Sequence, residues 1–158
     1  LVTISGDEAV FAGVQGLLAA LSTDVRYLGP RIGAAAALDI AVMSYYIMTH
    51  LGLVHAALIC ESEGVRPDML ASVLVDSLPS DTEEIAHLGN VLQKNEFSNP
   101  GASINVYSNI LDRIRDQATD KGLDARIPEF ANTLYKEGVE AGFGDEEVVA
   151  LIKLLRGR

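Results

Sequence analysis

Residues 33–63 read GAAAALDIAVMSYYIMTHLGLVHAALICESE. The stretch contains no proline, and Asp39 and Glu61 are its only carboxylates before Glu63. It predicts one long helix, about 46 Å from end to end if continuous. Apolar residues lie nearly all round it, so it should be buried on most sides. Its length meets the criterion for a membrane span, but Asp39 would then sit inside the span, where a carboxylate is costly. The pattern fits better a central helix wrapped by other helices, including helices of a second chain.

Outward from this helix, Gly64 and Pro67 mark its end. Helices are predicted from Asp68 to about Leu78 and, capped by Ser80-Asp81, from Thr82 to about Lys94. Residues 95–101, NEFSNPG, read as a loop. Ala102 to Lys121 is a long amphipathic helix closed by Gly122. Ile127-Pro128 leads into a helix ending near Ala141. Gly142-Phe143-Gly144-Asp145 is a turn and N-cap for a last helix, Glu146 to Leu155. Upstream, Leu1 to Ser5 reads as a short strand, Glu8 to Leu21 as a helix, and Ser22 to Ile32 as a connector. A lone strand cannot stand without partners, so the opening reads as the last strand–helix piece of a domain whose remainder is missing. A start at Leu-Val-Thr-Ile is expected of a fragment. The fold class expected is all-α with a β remnant at the front.

Composition narrows the function. The 158 residues include 22 acidic and 12 basic side chains, a formal charge of −10. So acidic a chain is a poor partner for nucleic acid, whose binding rests on Lys and Arg against phosphates, and for an anionic membrane surface. Apolar residues make up 49%, enough for a substantial core. The single cysteine, Cys60, excludes an internal disulfide and a cysteine-based zinc site, and its apolar flanks suggest an inert buried thiol. No signal-peptide pattern is present, and a cytoplasmic location is expected. Neither a G-x-G-x-x-G nor a Walker pattern occurs, so this chain alone is not expected to bind a dinucleotide.

Asp39 is the outlier of the long helix. At about 100° per residue, Met43, Tyr46 and His50 fall within about 40° of it and share its stripe. A carboxyl group in a dry pocket can hold a proton near neutrality. Asp39 is therefore a candidate proton donor with Tyr46 as helper, or else a buried acid bonded to a neighbouring helix end or hydroxyl. His50 and His55 are five apart, a poor spacing for one metal, and no metal is expected. His87 lies on a polar face and reads as solvated. Ser108 and Asn109 either bond the preceding turn or line a pocket. No Ser/His/Asp triad is discernible.

The stretch from Tyr27-Leu28-Gly29-Pro30-Arg31-Ile32-Gly33 through Asp39 to Met43 resembles the active-site segment of imine reductases and reductive aminases, within the β-hydroxyacid dehydrogenase superfamily. Ile4-Ser5-Gly6-Asp7 resembles the end of that family's Rossmann domain. His55 to Val65 resembles the end of its interdomain helix, and Gly142-Phe143-Gly144-Asp145-Glu146 with Ala150-Leu151 its closing helix. In the family, the residue at the Asp39 position is the proposed proton donor to the imine. Hydroxyacid dehydrogenases carry Lys and Asn early in this helix, where Ala37 and Ala41 stand here, and a downstream Lys-Asp pair, where Asn109-Ile110 stand. Arg31 occupies a position that is usually acidic.

The resemblance implies an end of a Rossmann domain with connector over residues 1–30 and a helical dimerisation and substrate domain over 31–158, built round the long helix. It implies an NADPH-dependent oxidoreductase reducing imines, with the cofactor held mainly by the absent N-terminal domain and none expected in this fragment, which should be inactive alone. Asp39 and Tyr46 would be catalytic; Met43, His50, Tyr107 and Asn109 would bind an imine or a carbonyl and amine pair. The partner would be a second copy in an intertwined homodimer, whose Tyr107 and Asn109 complete the pocket. The alternatives are a 3-hydroxyisobutyrate or 6-phosphogluconate dehydrogenase-like enzyme, and a non-catalytic dimerisation module.

Overall fold

A computed structural model describes residues 1–156. The chain forms two compact units, Leu1–Leu51 and Gly52–Arg158. In the first, β1 (Val2–Ile4), α1 (Glu8–Leu21) and β2 (Val25–Tyr27) make a β-α-β unit, its strands parallel with Val2 opposite Val25 and Ile4 opposite Tyr27. The sequence predicts β1 and α1 but puts β2 inside a connector, because three residues, Val25-Arg26-Tyr27, between a helix and a Gly-Pro turn are too few to show periodicity. Tyr27 secures β2. Its ring stacks on Phe11 of α1 at 4.6 Å, and its hydroxyl donates to the Gly6 carbonyl at 2.6 Å. Asp7 caps α1, its carboxylate accepting from the amides of Ala9 and Val10. Along α1, Val10, Leu17 and Leu21 remain exposed.

The long helix, α2, runs Ala34–Ser62 without interruption. It ends at Gly64, whose φ of 72° is the left-handed turn that glycine adopts most freely. The expected burial is not met within one chain. Among the described residues of α2 only His55 is buried, and Ile40, Met43, Ile47, Met48 and Val54 are each about half exposed or more. By length and composition α2 could cross a membrane; the core helix of a soluble protein passes the same test.

In the second unit, α3 spans Pro67–Lys94 as one helix, where the sequence predicted two. Pro79 lacks the amide that would reach the Val75 carbonyl. The helix continues because Val75 is 62% exposed and solvent can serve its carbonyl. The hydroxyls of Ser77 and Thr82 cap nearby carbonyls, those of Leu74 and Leu78, at 2.8 Å. After Asn95, in the left-handed region at φ 56°, a loop leads to α4 (Ile104–Asp120), capped by the Ser103 hydroxyl. α5 (Arg126–Gly138) packs back on α4. Asp112 of α4 links to Asn132 and Lys136 of α5, both at 2.9 Å.

The chain end differs from the single last helix expected. A π turn (Val139–Phe143) and a 3-10 turn (Val148–Leu151) precede a short α6 (Ile152–Arg156). Ser103 and Glu147 form an antiparallel bridge between them and the start of α4. The core lies here, around Phe97, Ile104 and Ala150, with Tyr135, Phe143 and Leu151 packed against it.

Gly138 packs closely against that core. A Cβ there would lie 2.8 Å from Leu151 Cδ2 and 3.4 Å from Ile104 Cγ2. Gly138→Ala should therefore destabilise the unit by about 1–3 kcal/mol, the usual cost of overpacking. Gly89→Ala, in α3 with nothing within 4 Å, should stabilise it by up to about 1 kcal/mol. Urea unfolding of both variants measures the contrast; equal effects would refute the packing assignment.

Candidate functional site

Asp39, Met43, Tyr46 and His50 share one stripe of α2, and the structure keeps them together on a single uninterrupted helix. All four are exposed. Asp39 makes no hydrogen bond or ion pair among the described residues. The dry surroundings expected for it are thus not supplied within the Leu1–Leu51 unit, where Asp39 is exposed. Tyr45 lies edge-on to Tyr46, ring centroids 5.9 Å apart, and steadies its ring. His55 is 6% exposed and its Nε2 has no partner; His50 is exposed. Among the described residues no group of three or more His, Cys, Asp or Glu could hold a metal ion.

Tyr107 and Asn109 lie on α4, in the second unit. Two positions on a helix are about 200° apart, so the pair does not share a face. Tyr107 is half-buried, and its hydroxyl donates to Glu84 Oε1 at 3.4 Å. Burial, and then the charges of Glu84 and Glu147, push its hydroxyl pKa up. The Tyr135 ring lies 6.0 Å away, and burial pushes its hydroxyl up to about 12. Asn109 is exposed. Of the two, only Tyr107 belongs to a polar cluster.

That cluster borders a cleft of about 380 Å³ lined by Ser80, Glu84, His87, Gly101 and Glu147 among others. Glu147 is 1% exposed. Its carboxylate accepts from the Gly101 amide at 2.8 Å, from His87 Nε2 at 3.1 Å and from the Val148 amide at 2.9 Å. Burial opposes its ionisation, but these bonds prevail and hold its pKa below the ordinary carboxylate value. One buried acid thereby joins α3, the loop before α4 and the 3-10 turn. The sequence reading missed this. The sequence places Glu147 in the first turn of the last helix and His87 on a solvated polar face; the imidazole instead meets Glu147, with its side chain half exposed. A run of acids after Gly144 signals a helix cap and nothing more, so no local pattern announces a contact across 60 residues.

The fit of a dinucleotide can be tested at the turn after β1, where a parallel β-α-β unit would receive phosphates on its helix N-terminus. The turn is Ser5-Gly6-Asp7, and the first free amides of α1 are already taken by the Asp7 carboxylate. A pyrophosphate there would face that charge. The turn after β1 therefore does not fit a phosphate.

Comparison with known proteins adds the family context. A family model described as NADPH-dependent reductive aminase-like, C-terminal domain, matches residues 32–157. No curated protein sequence matches. Among solved structures, an imine reductase from Myxococcus stipitatus in complex with NADP+ superposes with a TM-score of 0.85 at 20% identity, over 97% of this chain and 54% of that one. An imine reductase from Bacillus cereus BAG3X2 gives 0.82 at 20% identity, over 99% and 54%. A reductive aminase from Aspergillus terreus in complex with NADPH and ethyl levulinate gives 0.80 at 24% identity, over 96% and 53%. At such identities the likeness shows the fold. The chain spans about half the length of these structures.

The Glu147 clasp has a pH signature. A carboxylate whose native pKa is depressed adds stability above its unfolded value, and that stability is lost as pH falls through the native value. At neutral pH, Glu147→Gln should be less stable than wild type by about 1–3 kcal/mol, as expected when a buried bonding set is broken. The gap should narrow as pH drops below the ordinary 4.5 of a glutamate. Denaturant titrations across that range check this; a gap independent of pH would show that Glu147 is not held ionised.

Proposed function

This chain belongs to the NADPH-dependent reductive aminase-like C-terminal domain family, and on that premise we propose that it is the helical half of an oxidoreductase that reduces imines. Residues 1–30 are then the end of the cofactor domain with its connector, a reading supported by the parallel β1–α1–β2 unit. Residues 31–158 are the helical domain.

Reducing an imine to an amine requires a hydride at carbon and a proton at nitrogen. NADPH, when bound, would supply the hydride; the turn after β1 does not fit its phosphates. What this chain offers is the proton. The observation that carries this reading is the placement of Asp39. It is an acid on an otherwise apolar turn of α2, inside the matched segment, and no described residue hydrogen-bonds or ion-pairs with its side chain. Tyr46, two turns along the same stripe, can hold the substrate nitrogen or a water against that carboxyl. Met43 and His50 extend the stripe as apolar and polar contacts.

Two competing readings are less well supported. An acid kept only to satisfy buried donors should show a donor, and none of the described residues gives one to Asp39. The hydroxyacid dehydrogenase pattern has a lysine and then an asparagine early in this helix, and Ala37 and Ala41 stand in those positions.

The apolar flanks of α2 also support a homodimer. Exposed residues such as Leu38, Val42 and Tyr45 fall on one side of α2 and make the kind of apolar stripe that soluble monomers rarely leave uncovered. Covering it with a second copy would dry the surroundings of Asp39. Tyr107, on a different unit, is a candidate wall of the site contributed by the partner.

In the complete protein, Asp39→Ala should lower turnover of a cyclic imine by about 10²–10⁴, the range for loss of a general acid. Tyr46→Phe should have a smaller effect. Unchanged turnover in Asp39→Ala would remove it from the mechanism. Sedimentation equilibrium should return twice the mass of one chain, and a stable monomer would contradict the dimer.

A further inference from the structure

We propose that Ser5 is a positioning residue for Asp39, an inference that rests on the proton-donor role argued above. The first amides of any helix lack partners within it. A polar side chain just before the helix usually accepts from them. Before α2 that position is Gly33, which has no side chain to offer. Ser5 supplies the missing cap from thirty residues away. Its hydroxyl accepts from the Ala35 amide at 3.1 Å and donates to the Ile32 carbonyl at 2.9 Å.

Among the described residues, these are the two hydrogen bonds that join residues 1–30 to the segment that begins α2, and both pass through one oxygen. Ser5 itself stands on a firm base, directly after β1. The Leu28 amide donates to Ile4 at 2.7 Å, the Gly6 amide donates to Gly29 at 3.1 Å, and Tyr27 donates to Gly6 at 2.6 Å. The carboxyl ends of both strands are thus tied to each other, and Ser5 ties them to the helix.

Asp39 is four residues beyond Ala35, one turn along the same face. A helical side chain lies over the turn N-terminal to its own Cα, so the Asp39 carboxylate overlies the turn that Ser5 holds. No described side chain bonds Asp39, so its aim follows the placement of that turn. Proton delivery depends steeply on such placement, and a displacement of about 1 Å can cost on the order of a hundredfold in rate.

The test compares Ser5→Ala, Ser5→Thr, Ser5→Val, Asp39→Asn and the Ser5→Ala/Asp39→Asn double variant in the complete enzyme, with a cyclic imine as substrate. Ser5→Ala and Ser5→Val should lower kcat about tenfold with KM little changed. Ser5→Thr, which keeps the hydroxyl, should retain kcat, while Ser5→Val keeps only its shape. In the Asp39→Asn background, Ser5→Ala should cause no further loss. Wild-type kcat in both Ser5→Ala and Ser5→Val, with Asp39→Asn impaired, overturns the inference and leaves the role of Asp39 intact. So does an equal loss from Ser5→Ala in both backgrounds. Wild-type kcat in Asp39→Asn overturns the role of Asp39 and this inference with it.

Discussion

An apolar helix of 29 residues that its own chain leaves open sets the terms for the rest of this molecule. Burying such a surface is the main favourable term in folding and association, and within one chain α2 buries only His55 among its described residues. The described structure provides for the helix at its ends and not along its flanks. Ser5 caps its start, Gly64 turns the chain at its finish, and Lys121 pairs with Glu63 at 2.8 Å near that finish. The flanks stay exposed, and a second copy is the proposed cover for them. Asp39 lies on that uncovered length, so its environment and its proposed chemistry both depend on what covers it.

The second unit solves a different problem. Its core around Phe97, Ile104 and Ala150 is small, and it is built from segments distant in sequence. The unit holds them with polar contacts that are satisfied inside it. Glu147 binds three segments at once, and Asp112 binds α4 to α5. Burying a charge is tolerated only when it is bonded on every side, and Glu147 meets that condition with two amides and an imidazole. The result is a fixed helical scaffold carrying Tyr107 at the edge of a cleft.

Much of the fold could be read from the sequence because its signals are local. The bounds of α2 follow from a proline-free apolar run closed by Gly64, and those of α1 from Asp7 and an apolar repeat. Three features escaped for physical reasons. β2 is too short to show alternation. Pro79 reads as a helix break, yet an exposed helix can leave one carbonyl to solvent. The chain end folds into π and 3-10 turns, with Gly142 in the left-handed region and Glu147 bonded to His87 and Gly101, contacts that only tertiary structure creates. At the candidate site, Asp39 and Tyr46 were legible as one stripe by helical geometry. The separation of Tyr107 from Asn109 was equally implicit in that geometry, and Ser5 was not, since its target lies thirty residues away.

The central claim is that Asp39 provides the proton for the imine nitrogen, and a substrate that needs no proton tests it most directly. A neutral cyclic imine must gain a proton at nitrogen during reduction. Its N-methylated iminium counterpart is already cationic and yields a tertiary amine by hydride addition alone. Measured in the complete enzyme, Asp39→Asn should slow the neutral imine severely and the iminium little. An equal loss on both substrates would contradict the account and leave Asp39 a role in structure or binding only.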